Sequence, residues 1–335
     1  MWLITGGTGI VGAHLVAEGL ARGERLRLLV REGSDRRGLE RVLRHYRPDD
    51  ADALDQLEFI EGDVTDVIGL AEAMEGVRQV YHAAAIVSFD PRDTGRMQEV
   101  NITGTANVVN AALSHGVDRL CHVSSIGALG HATGTPIDER TPWNADERHS
   151  AYAVSKYEAE LEVQRGVAEG LDAVIANPCL IIGPGAGGRS SMTLVERVRR
   201  GTRFYPPGST AVVDARDVAK ACMDLMQYEG KGERYLLSGE NITYKALFTL
   251  LAEAFGNTPP HVRVRSSWLA LAWRLERLRT LVTGGHPLVT RDTTRTSLMQ
   301  RSFSSEKVRS ALGMEFRSAQ EMTQNVAEFL LAQRP

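Results

Sequence analysis

Gly6, Gly9 and Gly12 stand in Thr5-Gly6-Gly7-Thr8-Gly9-Ile10-Val11-Gly12, between an apolar run at residues 1–5 and a helical pattern at 12–22. The first glycine permits a tight turn, the second lets the backbone approach a pyrophosphate, and the third lets helix and strand pack closely. The helix start adds N–H donors and the positive end of a dipole. A chain that opens this way is constrained to a βαβ beginning. Its loop reads as a dinucleotide cradle made by Gly6, Thr8, Gly9, Ile10, Val11 and Gly12.

The pattern continues. Apolar runs at Leu26–Val30, 57–60, 80–82, 120–124 and 174–176 read as strands, and helical patterns fall at Val67–Met74, 97–114 and Ala151–Ala168. Strands that alternate with helices predict a parallel sheet covered on both faces, an α/β Rossmann-type doubly wound fold. Residues 36–55 are charge-rich and read as a solvent-facing crossover, and 132–150 as a loop. After Pro178 the rhythm changes at a glycine-rich joint, 183–188. Residues 1–178 are expected to form the cofactor domain, and 179–335 a smaller, mostly helical substrate lobe. Part of 210–240 is expected to return to the first, and beyond the joint a short strand at Arg234–Leu237 falls among the mostly helical patterns.

Composition narrows the function. The 335 residues carry a net charge of −3, which provides no basic field for nucleic acid, and 43% are hydrophobic, enough to fold. Cys121, Cys179 and Cys222 are too few and too dispersed for a disulfide framework or a metal cluster, so no metal and a reducing, cytoplasmic setting are expected. The first residues run straight into the strand rather than into a leader. No window of ~20 residues is free of charge, so no membrane insertion is expected. Residues 268–282 read as a surface helix packed on the second lobe, with a membrane-surface helix as the other reading.

Two further patterns carry chemistry. The second strand ends at Arg31, 19 residues past Gly12, where an acid reads the ribose hydroxyls of NAD. A guanidinium there pairs with a 2′-phosphate instead, which favours NADP(H) over NAD(H), with Ser34, Arg36 and Arg37 nearby. Tyr152 and Lys156 lie at i and i+4 on one helix face. A neighbouring ammonium lowers a phenol's pKa, so this tyrosine can exchange a proton with an alcohol or carbonyl while a cofactor moves hydride. Ser124 and Ser125 end the fifth strand, where open sheets place their ligands.

These marks, with Gly62-Asp63-Val64, His82-Ala83-Ala84-Ala85, the N-x-x-G-T-x-N run from Asn101 to Asn107, Asn177-Pro178 and the 213–219 segment, resemble the extended short-chain dehydrogenases/reductases of the NAD(P)-dependent epimerase/dehydratase superfamily. The resemblance spans almost the whole chain. It implies Tyr152 as acid/base and Lys156 on the nicotinamide ribose. Ser125 orients the carbonyl, with Ser124 as the alternative, and Asn101 anchors a helix and a relay water. Asp63 and Val64 meet adenine, Ala83, Ala84 and Ala85 line the cofactor, and Pro178, Leu180 and Ile181 run beside the nicotinamide. A homodimer through the helices starting near Met97 and Ala151 is also implied.

Arg31, the apolar 86–90 loop and the 303–313 segment resemble the dihydroflavonol reductase and 3β-hydroxysteroid dehydrogenase-like branch. The expected enzyme transfers hydride between NADP(H) and a carbonyl or secondary alcohol of a small apolar molecule. Val87, Phe89, Leu129, His131, Met192 and Phe204 are candidate substrate walls. A nucleotide-sugar epimerase using NAD, and a non-catalytic dinucleotide sensor or scaffold, are the alternatives.

Overall fold

In the computed structural model, residues 1–332 are described except Ala51, Thr133, 187–190, His286 and Leu288, so Gly187 and Gly188 of the expected joint lie outside the described residues. The first half alternates without interruption: β1 (Trp2–Thr5), α1 (Ile10–Ala21), β2 (Leu26–Val30), α2 (Arg37–Tyr46), β3 (Glu58–Glu61), α3 (Val67–Met74) and β4 (Gln79–His82). A short α4 (Thr94–Gln98) passes through one π turn (Glu99–Thr103) into α5 (Gly104–Ser114). Then follow β5 (Arg119–Val123), α6 (Ala151–Ala168) and β6 (Ala173–Pro178).

These strands form one parallel sheet in the order β6-β5-β4-β1-β2-β3, so the winding reverses between β1 and β4. Helices from the two windings leave a crevice at that point, beyond the carboxyl ends of the strands. Each strand is apolar on both faces because both faces are covered. Leu3, Leu29, Val80, Leu120 and Ile175 pack on the side of α3 and α5. Ile4, Leu28, Tyr81, Cys121 and Val174 face the core that α1 and α2 share.

The chain then winds through both parts: β7 (Leu180–Ile182), α7 (Ser191–Arg199), β8 (Phe204–Tyr205), β9 (Ser209–Asp214), α8 (Ala215–Leu225), β10 (Arg234–Leu237), β11 (Glu240–Thr243), α9 (Tyr244–Ala254), β12 (Val262–Arg263), α10 (Ser266–Thr283), α11 (Arg291–Leu298), α12 (Glu306–Leu312) and α13 (Ala319–Leu331). β10 returns to the main sheet and pairs in parallel with β6. β9 sits between β7 and β11 in a second, three-stranded sheet, and β8 pairs with β12. α8 lies against α1, where Arg22 reaches Asp224 at 2.8 Å.

One segment differs from the sequence reading. The charge-rich 36–55 crossover contains α2, whose Leu39, Val42 and Leu43 are buried. Its charges sit at 37, 40, 41 and 44 and mask an apolar stripe of helical spacing. In α10, Trp268, Leu271 and Leu275 face outward, each more than half exposed, on a surface helix of the second part. The helix rests chiefly on α11, whose sequence RDTTRTSL offers little apolar surface. No described helix is long and apolar enough to cross a membrane.

Candidate active site

The glycine loop is fixed by backbone contacts. Gly6 has φ +72°, and a Cβ on it would lie 2.6 Å from the Ala84 nitrogen. A Cβ on Gly12 would lie 2.1 Å from the Gly6 carbonyl oxygen. These two positions bring α1, β1 and the end of β4 together. Gly9 is exposed and caps α1 with no side-chain hydrogen bond, and the first turn of α1 holds no acid. The open amides there suit an anion. Thr8 and Ile10 are half-buried beside it, whereas Val11 packs into the core, so only its backbone faces the loop.

The rest of the crevice extends from this turn. Ala83 and Ala84 follow β4 and donate to the Thr5 carbonyl and hydroxyl, each at 3.2 Å, and Ala85 is exposed. Asp63 follows β3, and its carboxylate accepts from the amide and hydroxyl of Thr65 at 3.0 and 2.9 Å. Val64 is buried, and its carbonyl accepts from Asn107 at 3.1 Å. Arg31 is exposed directly after β2. Arg37 is engaged by Asp35 at 2.9 Å, and Arg36 stacks 4.0 Å over Phe59. Arg31 is therefore the cation of this group that is not occupied in these contacts.

Ser125 and Tyr152 meet at the carboxyl end of β5. The Ser125 side chain accepts from the Gly127 amide at 3.0 Å, and a Cβ on Gly127 would lie 3.4 Å from the Ser125 hydroxyl and 3.7 Å from the Tyr152 ring. Ser124 is buried, and its hydroxyl has no hydrogen-bond partner among the described residues. Lys156 is buried one turn along α6 and donates to the Val123 carbonyl at 2.8 Å. One of its three N–H groups is spent there, leaving two for a ligand. Burial lowers its pKa to about 8, opposed by the carboxylate of Glu160. The sequence reading expected the ammonium to lower Tyr152. Burial instead raises the Tyr152 hydroxyl, with the neighbouring Ser125 hydroxyl working against it.

Asn101 sits in the π turn, fully committed. It accepts from the Ile86 amide at 2.7 Å, and its side-chain N–H group donates to the Ile86 carbonyl at 2.9 Å and to Ser155 at 3.0 Å. It ties the 86–90 loop to α6. Pro178 ends β6 beside this region, and Leu180 and Ile181 are half-buried in β7. Asn177 donates to the Ser125 carbonyl and to Glu160, which fixes the backbone that presents Ser125.

Among the candidate walls, Phe89 lies edge-on to Tyr152 with ring centroids 5.8 Å apart, and Val87 is exposed in the same loop. His131 is half-buried near Glu147 at 4.0 Å, and burial lowers its pKa. Three candidates are displaced. Met192 is 1% exposed because α7 turns Met192, Val195 and Val198 into the core. Leu129 is likewise in the core, and Phe204 is 47% exposed on the β8–β12 ribbon, whose two residues per strand cover nothing. Among the described residues no group of three or more His, Cys, Asp or Glu is placed to hold a metal. The three cysteines are buried thiols.

Sequence reasoning missed a buried polar column behind the site. His82 bonds Thr5 at 2.7 Å and Thr105 at 2.9 Å, and Thr105 donates to the Asn101 carbonyl. His122 lies beside His82, and neither of its ring nitrogens has a partner. Burial lowers His82 to about 3 and His14 to about 4, and it lowers His122 strongly. These imidazoles are neutral in the native state, whereas an unfolded histidine titrates near 6.5. The unfolded chain thus binds more protons below that value, so stability is present above pH 6.5 and is lost as pH falls toward 4. Acidification from pH 7 to 4.5 is expected to lower the melting temperature by roughly 10 °C or more. A His82→Asn variant should show a shallower slope in the same thermal scans. Equal slopes would remove the histidine from this account.

A reversed parallel sheet, a backbone-made anion turn and a Ser–Tyr–Lys group at its crevice define a nicotinamide-dinucleotide-binding oxidoreductase of the α/β class. The model of the NAD dependent epimerase/dehydratase family matches residues 2–238, and the chain belongs to that family. It is 34% identical over 273 residues to sterol demethylase protein B of Methylococcus capsulatus (78% of this chain, 76% of that protein). It is 31% identical over 323 residues to a putative dihydroflavonol 4-reductase of Synechocystis sp. (93% and 89%). The crystal structure of gox2253 superposes with a TM-score of 0.81 at 32% identity, covering 99% of this chain and 98% of that one. The protein is an NAD(P)-dependent enzyme of this family.

Proposed function

We propose that the protein is an NADP(H)-dependent oxidoreductase that interconverts a carbonyl and a secondary alcohol on a small, largely apolar molecule. The observation that carries this reading is the convergence of Ser125 and Tyr152 on Gly127, with Phe89 edge-on to Tyr152 and Lys156 buried one turn along the same helix. The reductase named among its relatives fits the same reading. The Gly6–Gly12 turn would hold the pyrophosphate of a dinucleotide and Pro178, Leu180 and Ile181 would flank its nicotinamide, which would supply or accept the hydride. Ser125 and Tyr152 hold the carbonyl oxygen, and Tyr152 gives it a proton. Burial raises the phenol, which favours the protonated form that donates in reduction. Lys156 directs its two remaining donors at the ribose hydroxyls, and Asn101 positions the loop and α6 around them. Val87 and Phe89 form the apolar wall.

Residues 1–178 plus β10 act as the cofactor part and most of 179–335 as the substrate part. A cytoplasmic homodimer joined through α5 and α6 is part of the proposal, supported by Leu161, which is half exposed on α6.

Arg31 carries the cofactor preference. Its guanidinium fits a 2′-phosphate, and Arg31→Asp replaces attraction with repulsion. The variant is expected to lose about 100-fold in kcat/KM with NADPH, from charge-assisted bonds of about 1.5–3 kcal/mol, while NADH improves. The test is turnover of a carbonyl panel with each cofactor. A wild-type protein that favours NADH would reverse the assignment. Tightly retained NAD with no turnover of added NADPH would point to the epimerase chemistry instead.

A further inference from the structure

Arg301 lies between α11 and α12, in a segment pinned to the rest of the fold. Its amide donates to the Ser209 hydroxyl and its carbonyl accepts from it, both at 2.9 Å. Two residues on, Phe303 bridges to Ile137. The guanidinium stands 5.9 Å over the Phe303 ring, Nε is enclosed without a hydrogen-bond partner, and no described carboxylate pairs with it.

The groups that feel its charge come from three directions: His131 after β5, Cys179 after β6, and Tyr244 at the start of α9. The first two lie past the carboxyl ends of the strands that present Ser125 and Pro178. Arg295 and His149 also act on His131, and Glu147 is the one acid among its neighbours. Glu147 stands 4.0 Å from His131, and among the described residues Arg301 lacks the carboxylate partner that a structural arginine normally has. A planar fork of donors matches a carboxylate in two-point contact.

We propose that Arg301 selects the substrate, binding a carboxylate carried by the same molecule whose carbonyl meets Ser125 and Tyr152. This rests on the carbonyl-reductase reading and adds an acidic group to the substrate class. Arg301 contributes affinity and orientation and takes no part in proton transfer.

The experiment compares wild type, Arg301→Met and Arg301→Lys with NADPH and the pair 3-oxooctanoate and methyl 3-oxooctanoate. Wild type should prefer the acid by about tenfold or more in kcat/KM. In Arg301→Met the acid should lose about 30- to 100-fold, mostly through KM, while the ester stays within about threefold. Arg301→Lys should fall between.

Two readouts do not need turnover. Octanoate, which has no ketone, should raise the melting temperature of cofactor-loaded wild type and not of Arg301→Met. Arg301→Met should melt no lower than wild type, because removing an unpaired enclosed charge relieves the fold. Octanoate without effect on wild type, equal losses on acid and ester, or a clear drop in melting temperature would each overturn the proposal. If Arg301→Met fails to fold, the arginine is structural and the proposal falls. Octanoate binding without reduction of either ketone would keep the carboxylate site and sink the reductase reading.

Discussion

Tyr152→Phe is expected to lower kcat for carbonyl reduction by about 10³-fold, within the range that a positioned general acid contributes. Only one hydroxyl is removed, from a side chain whose ring stays packed against Phe89 at 5.8 Å. Fold and dinucleotide affinity should therefore hold, and fluorescence titration with NADPH should give a dissociation constant within a few-fold of wild type. The loss should fall on kcat and kcat/KM together, the pattern of an interaction made in the transition state. Ser125→Ala should cost less, since it removes an orienting bond and leaves the proton in place. Unchanged hydride exchange in Tyr152→Phe would eliminate Tyr152 as the proton donor.

Gly12→Ala is expected to damage both stability and cofactor binding. The added Cβ would sit 2.1 Å from the Gly6 oxygen and 2.7 Å from the Gly7 Cα, so backbone must move rather than a side chain. Overpacking of this kind costs about 1–3 kcal/mol or more, or roughly 2–4 °C or more in melting temperature for a chain of this size. Shifting Gly6 also displaces the end of β4, so dinucleotide affinity should drop about 100-fold or more. Gly9→Ala is the informative comparison. Its Cβ meets only the Gly6 oxygen, at 3.2 Å, so it should fold almost normally while crowding the exposed anion turn. Similar melting temperatures for Gly12→Ala and wild type would contradict the close packing.

The parts that sequence made legible are those set by local geometry. Leu26–Val30, Val67–Met74 and Ala151–Ala168 have the expected bounds because strand and helix periods are strong there. The glycine turn and the i, i+4 placement of Tyr152 and Lys156 follow from spacing alone. Features created by distant chain segments were not legible. His82 meets Thr5 across 77 positions and Thr105 across 23. Asn101 lies within a π turn, inside what the pattern gave as one helix from 97 to 114. Met192 looked like a cleft residue because its apolar neighbours at 195 and 198 were not read as one buried stripe. Burial pushes the Tyr152 hydroxyl up, a consequence of tertiary packing that the i, i+4 spacing to Lys156 does not reveal, and Lys156 itself donates to Val123.

The return of β10 to the main sheet has a consequence for synthesis. The strand that flanks β6 is encoded more than fifty residues after it, on the far side of β7, α7, β8, β9 and α8. As the chain leaves the ribosome, β1 to β6 can assemble first, but β6 then exposes an open edge until residue 237 has emerged. An open edge of apolar residues invites pairing with other chains. The cofactor part is therefore not a module that can be cut free at Pro178. A fragment ending there would carry that edge permanently, and the two parts of the protein must be made, and inherited, together.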